Sequence, residues 1–207
     1  NEKEIPAIMF VVGENIEKDM ETAVYAIQHG IILGNHSYSH PSFEELTLEA
    51  AVEEIERTDR LLNQAYELAG VRREVWLFRF PYLNKGGDKK EKLQQYLKEH
   101  GYSGIDDSGV KSPGYIEASW NKDLDAACSY DCQEYMVPSG EKSFEEIMKR
   151  IDEGDVGMGS NVLTDTGEHI ILLHSHDDTE RVEKDYYKRI LGYMLDNGVN
   201  FIKPKFK

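Results

Sequence analysis

Gly34-Asn35-His36-Ser37-Tyr38-Ser39-His40-Pro41-Ser42-Phe43 is the stretch on which the reading of this chain turns. Two histidines stand four residues apart, directly after the apolar run Gly30-Ile31-Ile32-Leu33. An apolar run bounded by glycines reads as a short buried strand, so His36 and His40 fall where a strand hands over to a loop or helix. In a parallel α/β sheet, that C-terminal edge is where ligands bind. Neutral imidazole is the commonest protein ligand for zinc and similar ions. On one helical turn, side chains at i and i+4 share a face and can grip one ion. The spacing alone fits two solvated or core histidines beside a turn better than a ligand pair, so the rest of the chain has to decide.

Outward from this stretch, strands alternate with helices. Residues 5–12 are rich in Ile and Val and read as a buried strand. Ile16, Met20, Val24 and Ile27 recur at helical spacing, predicting a helix over 16–29 that Gly30 ends. Ser42-Phe43-Glu44-Glu45 has the form of a capping box and predicts a long helix to about Ala69, stopped by Gly70. Val75 to Phe80 reads as the next strand, closed by Pro81, and Lys89 to His100 as a helix. Residues 101–140 are irregular, and loops this long inside a compact domain are often functional. Ser143-Phe144-Glu145-Glu146 is a second capping box; His169 to His174 reads as a strand, Glu180 to Asn197 as a helix and Val199 to Ile202 as a last strand. The alternation argues for parallel βαβ units with right-handed crossovers.

The chain is 207 residues long, which suggests one domain, and 40% apolar with 30% charged residues, which fits a globular protein with a wet surface. A net charge of -15 argues against nucleic acid or an anionic membrane as partner, because both need a basic face. No stretch approaches the ~20 apolar residues of a membrane-spanning helix. Cys128 and Cys132 fit a loop disulfide or two free thiols equally.

Four segments in order carry a resemblance. Asn35-His36-Ser37-Tyr38-Ser39-His40-Pro41 resembles the second motif of the polysaccharide deacetylases with a NodB-homology domain, carbohydrate esterase family four. Ala7 to Asn15 resembles the family's second strand and following loop, Arg79-Phe80-Pro81-Tyr82 its third motif, and Ile171-Leu172-Leu173-His174 its fifth. The resemblance implies a distorted (β/α) barrel of about seven parallel strands. It also implies removal of N-acetyl groups from amino sugars in a glycan of the chitin or peptidoglycan kind. The implied cofactor is a divalent metal, zinc first, with cobalt, nickel or manganese as substitutes. The implied place is secreted or cell-envelope associated, with the cytoplasm left open.

Residue by residue, His36 and His40 match the family's metal-binding histidines and His174 its proton donor. Arg79 matches the arginine that holds the catalytic carboxylate. Tyr82 matches the residue whose backbone N–H binds the oxyanion, and Leu172 the apolar floor under the acetyl methyl. Two departures stand out. The family's Thr-Phe-Asp-Asp-Gly motif, source of the base and the metal-binding aspartate, does not occur in these residues. The expectation is therefore one domain over residues 1–207, N-terminally incomplete. The fourth motif, an aspartate near a tryptophan, finds its nearest equivalent in Trp120 with Asp123 or Asp125, which become candidate partners for His174. Two other functions stay open: hydrolysis of a small amide on the same fold, and a non-catalytic glycan-binding domain.

Overall fold

The computed structural model describes residues 5–207, so Asn1 to Glu4 lie outside the description. The described residues divide into two compact units. The first comprises residues 5–106, 123–127 and 202–207, and the second residues 107–122 and 128–201.

In the first unit, β1 (Ile8–Val11) pairs in parallel with β2 (Ile32–Asn35), with Ile8 opposite Ile32 and Val11 opposite Asn35. The crossover between them, predicted as one helix, is two: α1 (Gly13–Lys18) and α2 (Met20–Gln28). The break falls at Asp19, whose carboxylate accepts the Thr22 N–H at 3.1 Å. A short acidic side chain satisfies an orphan helix N–H better than it tolerates a helix interior. The long α3 (Leu48–Ala69) starts later than the Ser42 capping box predicts. Ser42 closes only a turn, accepting the Glu45 N–H, whereas Thr47 caps the helix by accepting the Ala50 N–H at 3.2 Å. Gly70 ends α3 at φ 67°, a left-handed conformation that favours glycine.

The predicted strand at 75–80 is present as single parallel bridges, Asn35 with Phe78 and Trp76 with Tyr102. Asn35 donates to the Leu77 carbonyl and Arg79 donates to the Asn35 carbonyl, which continues the parallel pattern beyond β2. Pro81, without an N–H, stops it. The helix α4 (Lys90–Glu99) follows as predicted. Phe43, Ile55, Phe78, Phe80, Leu93 and Leu97 form one apolar cluster and Ile16, Ile27, Leu33 and Leu62 another. Helix α3 contributes to both, and its Glu54 and Arg57 reach Tyr38 of the histidine loop.

In the second unit, β3 (Tyr130–Asp131) pairs in parallel with β4 (Ile171–Leu172), Asp131 opposite Leu172. The strand predicted over 169–174 is therefore shorter, and its partner lies in the segment read as irregular. That segment also holds the short α5 (Pro113–Glu117). The capping box at Ser143 forms reciprocally with Glu146 and starts α6 (Phe144–Glu153). The predicted helix 180–197 is again two, α7 (Asp177–Val182) and α8 (Tyr186–Asp196), separated where Asp185 turns left-handed at φ 56°. Val199 to Ile202 forms no regular strand; Val199 and Phe201 pack on the core of Tyr130, Ile147, Ile151, Ile190 and Met194. Cys128 and Cys132 are buried and form no disulfide, and burial pushes the Cys132 thiol well up. No helix of the described residues is long and apolar enough to cross a membrane.

Candidate functional site

In the first unit, His36 leaves the end of β2 with its N–H on the Val11 carbonyl. Its ring Nδ1 lies 2.8 Å from the Arg79 carbonyl oxygen. A carbonyl only accepts, so Nδ1 carries the hydrogen, and a neutral imidazole then has its lone pair on Nε2. Such a bond is the usual device that fixes the tautomer and orientation of a metal-binding histidine. The His36 and His40 rings lie 4.8 Å apart, centre to centre, and edge on. The Tyr82 ring stands 4.7 Å from His40 and is 72% exposed.

Backbone strain builds this corner. Ser37 (φ 65°), His40 (φ 58°), Tyr82 (φ 56°) and Leu83 (φ 53°) are all left-handed without being glycine, at about 1 kcal/mol or more each. Local bonds hold the strained loop. Asn35 accepts the Ser37 N–H at 2.9 Å and donates to the Ile55 carbonyl at 2.8 Å, while the Ser37 hydroxyl accepts the His40 N–H at 3.1 Å. Gly13 packs beneath, where an added Cβ would lie 2.6 Å from the Thr58 hydroxyl.

Arg79 is buried, as its place between Phe78 and Phe80 predicts. Its Nε donates to the Ala126 carbonyl at 3.0 Å and its Nη2 to the Ala127 carbonyl at 3.2 Å, with the guanidinium 4.8 Å from the centre of the Phe10 ring. The same segment carries Asp123 and Asp125. Lys85 reaches Asp123 at 2.7 Å and Asp125 at 3.0 Å, Lys90 reaches Asp123 at 3.0 Å, and Gln94 donates to Asp125 at 2.6 Å. Burial pushes the Asp125 carboxyl up, opposed by the Lys85 charge.

In the second unit, His174 follows β4 and its partner is Glu134, which corrects the expectation that Asp123 or Asp125 takes that place. The Glu134 carboxylate accepts the His174 backbone N–H at 2.6 Å and its ring Nδ1–H at 3.0 Å. Tyr135 lies edge-on to the His174 ring at 4.7 Å, and His176 lies 5.3 Å away. Donor atoms of Asp131, Glu134 and His174 all fall within 4.8 Å of one another. Desolvation pushes the Asp131 carboxyl up. Leu172, half-buried, stands two residues before His174 and opposite Asp131. Trp120 packs edge-on against Tyr115 at 5.8 Å, and the Tyr115 hydroxyl donates to Asp107 at 2.8 Å.

Glu134 and Tyr135 are the residues that sequence reading missed. The signal was present: an acid directly followed by an aromatic in Asp131-Cys132-Gln133-Glu134-Tyr135. Tryptophan is the aromatic of the family's fourth motif, and Trp120 is the nearest match to it in the sequence.

The polysaccharide deacetylase family model matches residues 1–105. The chain belongs to that family. Over 60 residues it is 32% identical to a peptidoglycan-N-acetylglucosamine deacetylase of Bacillus cereus, a stretch covering 29% of this chain and 22% of that protein. The match thus spans about a fifth of the curated relative. Among solved structures, a peptidoglycan N-acetylglucosamine deacetylase superposes with a TM-score of 0.66 at 18% identity, over 98% of this chain and 74% of that one. A family-four pseudoenzyme from Bacillus anthracis superposes with a TM-score of 0.63 at 14% identity, over 96% and 54%. At these identities the structural likenesses establish the α/β fold of the polysaccharide deacetylase family and nothing finer.

Proposed function

We propose that the chain is a metal-dependent hydrolase that removes N-acetyl groups from amino sugars in a glycan of the chitin or peptidoglycan kind. The observation that carries this is the oriented pair His36 and His40, with the His36 Nδ1–H spent on the Arg79 carbonyl. Two imidazoles with one tautomer fixed fit a divalent ion of the zinc type, with cobalt, nickel or manganese as substitutes. When bound, such an ion polarises the amide carbonyl and lowers the pKa of the attacking water toward ~7.

The chain's own residues supply other parts of the site, although the base and the metal-binding aspartate of the family's Thr-Phe-Asp-Asp-Gly motif have no counterpart among them. The left-handed turn at Tyr82 presents its backbone N–H for the oxyanion that develops on the acetyl carbonyl. Arg79 fixes the segment at 126–127, which the Lys85, Asp123 and Asp125 network holds from its other end. Glu134 holds Nδ1–H of His174, so that Nε2 is the atom that handles the proton for the leaving amine. A carboxylate in this position sets the tautomer and stabilises the imidazolium as it forms. Leu172 and the ring of Tyr135 supply apolar walls, with Trp120 a further aromatic for sugar contact. A distorted (β/α) barrel of about seven strands, one domain and a secreted or envelope location complete this reading; the parallel pairs β1–β2 and β3–β4 support the barrel.

Elemental analysis of the purified intact protein, beside its His36→Ala/His40→Ala form, tests the metal assignment. Acetate release from N-acetylglucosamine oligomers tests the reaction. His174→Ala should lower turnover about 10²–10⁴-fold with metal content unchanged, the usual contribution of a general acid. A wild type that binds the oligomer and releases no acetate overturns the hydrolase reading in favour of a glycan-binding domain.

A further inference from the structure

The loop that carries His40 is gripped by a side chain well downstream of it. Glu54, half-buried on α3, turns its carboxylate back onto the loop. Its Oε2 accepts the backbone N–H of Tyr38 at 2.9 Å and of Ser39 at 2.8 Å, and its Oε1 accepts the Ser39 hydroxyl at 2.9 Å. Two successive N–H groups aimed at one oxygen form a small anion-binding nest, here filled by the protein itself. The clamped residues lie between the two left-handed positions of the loop, Ser37 at φ 65° and His40 at φ 58°. Non-glycine residues hold such angles only where the surroundings over-determine them. Asn35 and the Ser37 hydroxyl fix the start of the loop; Glu54 fixes the two residues immediately before His40.

We propose that Glu54 is a positioning residue for the metal pair: by holding Tyr38 and Ser39 it sets the His40 ring against His36, and so sets the affinity of the pair for a divalent cation. The proposal rests on the reading of His36 and His40 as ligands. Its basis is geometry rather than charge. A glutamine can replace the carboxylate, its Oε1 accepting both N–H groups and its Nε2–H donating to the Ser39 hydroxyl, which turns to accept. An aspartate keeps the charge but is one methylene short of the loop. The Tyr38 side chain has a separate anchor, the Arg57 guanidinium 3.3 Å from its ring centre, and the Tyr38 carbonyl accepts the Glu14 N–H at 2.9 Å, so the part of the clamp that Glu54 supplies is the hold on the N–H groups of Tyr38 and Ser39.

The test uses the intact protein with Glu54→Gln, Glu54→Asp and Glu54→Ala. Zinc and cobalt affinity is read by calorimetry and the cobalt absorption spectrum. The ring signals of His36 and His40 are read by NMR on metal-free protein. Expected is a loss of about 10–100-fold in affinity for Asp and Ala, the range typical of residues that orient metal ligands. Gln should stay within a few-fold of wild type, and only Asp and Ala should move the metal-free His40 signals. If Ala does not fold, the Asp against Gln contrast carries the decision. Wild-type affinity and unmoved His40 signals in Asp and Ala overturn the proposal, as does a Gln variant as weak as Ala. If wild type binds no cation, or binds it equally without His36 and His40, the metal reading fails, and the metal-free spectra still decide whether Glu54 positions His40.

Discussion

The carboxylate of Glu134 accepts both the backbone N–H and the ring Nδ1–H of His174, at 2.6 and 3.0 Å. The group is fully buried, and its second oxygen finds no hydrogen-bond partner among the described residues. Leaving such an oxygen unsatisfied costs about 1–3 kcal/mol. A carboxylate buried at that cost against the His174 ring supports the proposed role of His174 as proton donor.

Replacing Glu134 by Gln should leave the fold and the metal content intact and lower acetate release about 10²–10⁴-fold, because the His174 imidazolium loses its counter-charge. The measurement is steady-state turnover on an N-acetylglucosamine oligomer, with metal content matched to wild type. Turnover within a few-fold of wild type would show that His174 works without this partner.

Lys85 bridges Asp123 and Asp125 with side chains that are 9%, 8% and 0% exposed. Removing the cation leaves the fully buried Asp125 with no opposite charge, only the Gln94 amide, while Asp123 keeps Lys90, so Lys85→Met should cost about 3–5 kcal/mol. Replacing Lys85, Asp123 and Asp125 together by apolar residues should cost much less. Urea unfolding of the two variants checks this. Equal losses in both would mean that the network is held by something other than charge pairing.

His169 packs at the start of the β4 segment with its Nδ1 3.3 Å from the Ser129 hydroxyl. Burial pulls its pKa below the ordinary value of 6.5, against the opposing pull of Asp165. The unfolded chain therefore takes up the proton first as pH falls. The contribution of His169 to stability is complete above about pH 7 and shrinks as pH drops through 6.5 toward the lowered folded value. Thermal melting of wild type should fall between pH 7 and pH 5, and His169→Asn should flatten that slope. Parallel slopes in the two proteins would remove His169 as the source.

What the sequence determined by itself was local. The run from Gly30 to Leu33, the histidines after it and the Arg79-Phe80-Pro81-Tyr82 stretch announce strand ends, because burial of an apolar run and the missing N–H of proline are properties of a few adjacent residues. The capping box at Ser143 was legible for the same reason: the residues that satisfy each other are three apart. The one at Ser42 was not, because a second cap at Thr47 competed for the same helix and packing of α3 chose between them. The position of β3 opposite β4 and the choice of Glu134 for His174 were decided by the tertiary structure. Those partners are forty residues apart in sequence, and no local pattern says which acid among many will be buried beside a given ring. The identity of the residue that holds the His40 loop follows the same rule. Glu54 is one of several acids along α3, and only the way that helix packs against β2 turns this one toward Tyr38 and Ser39.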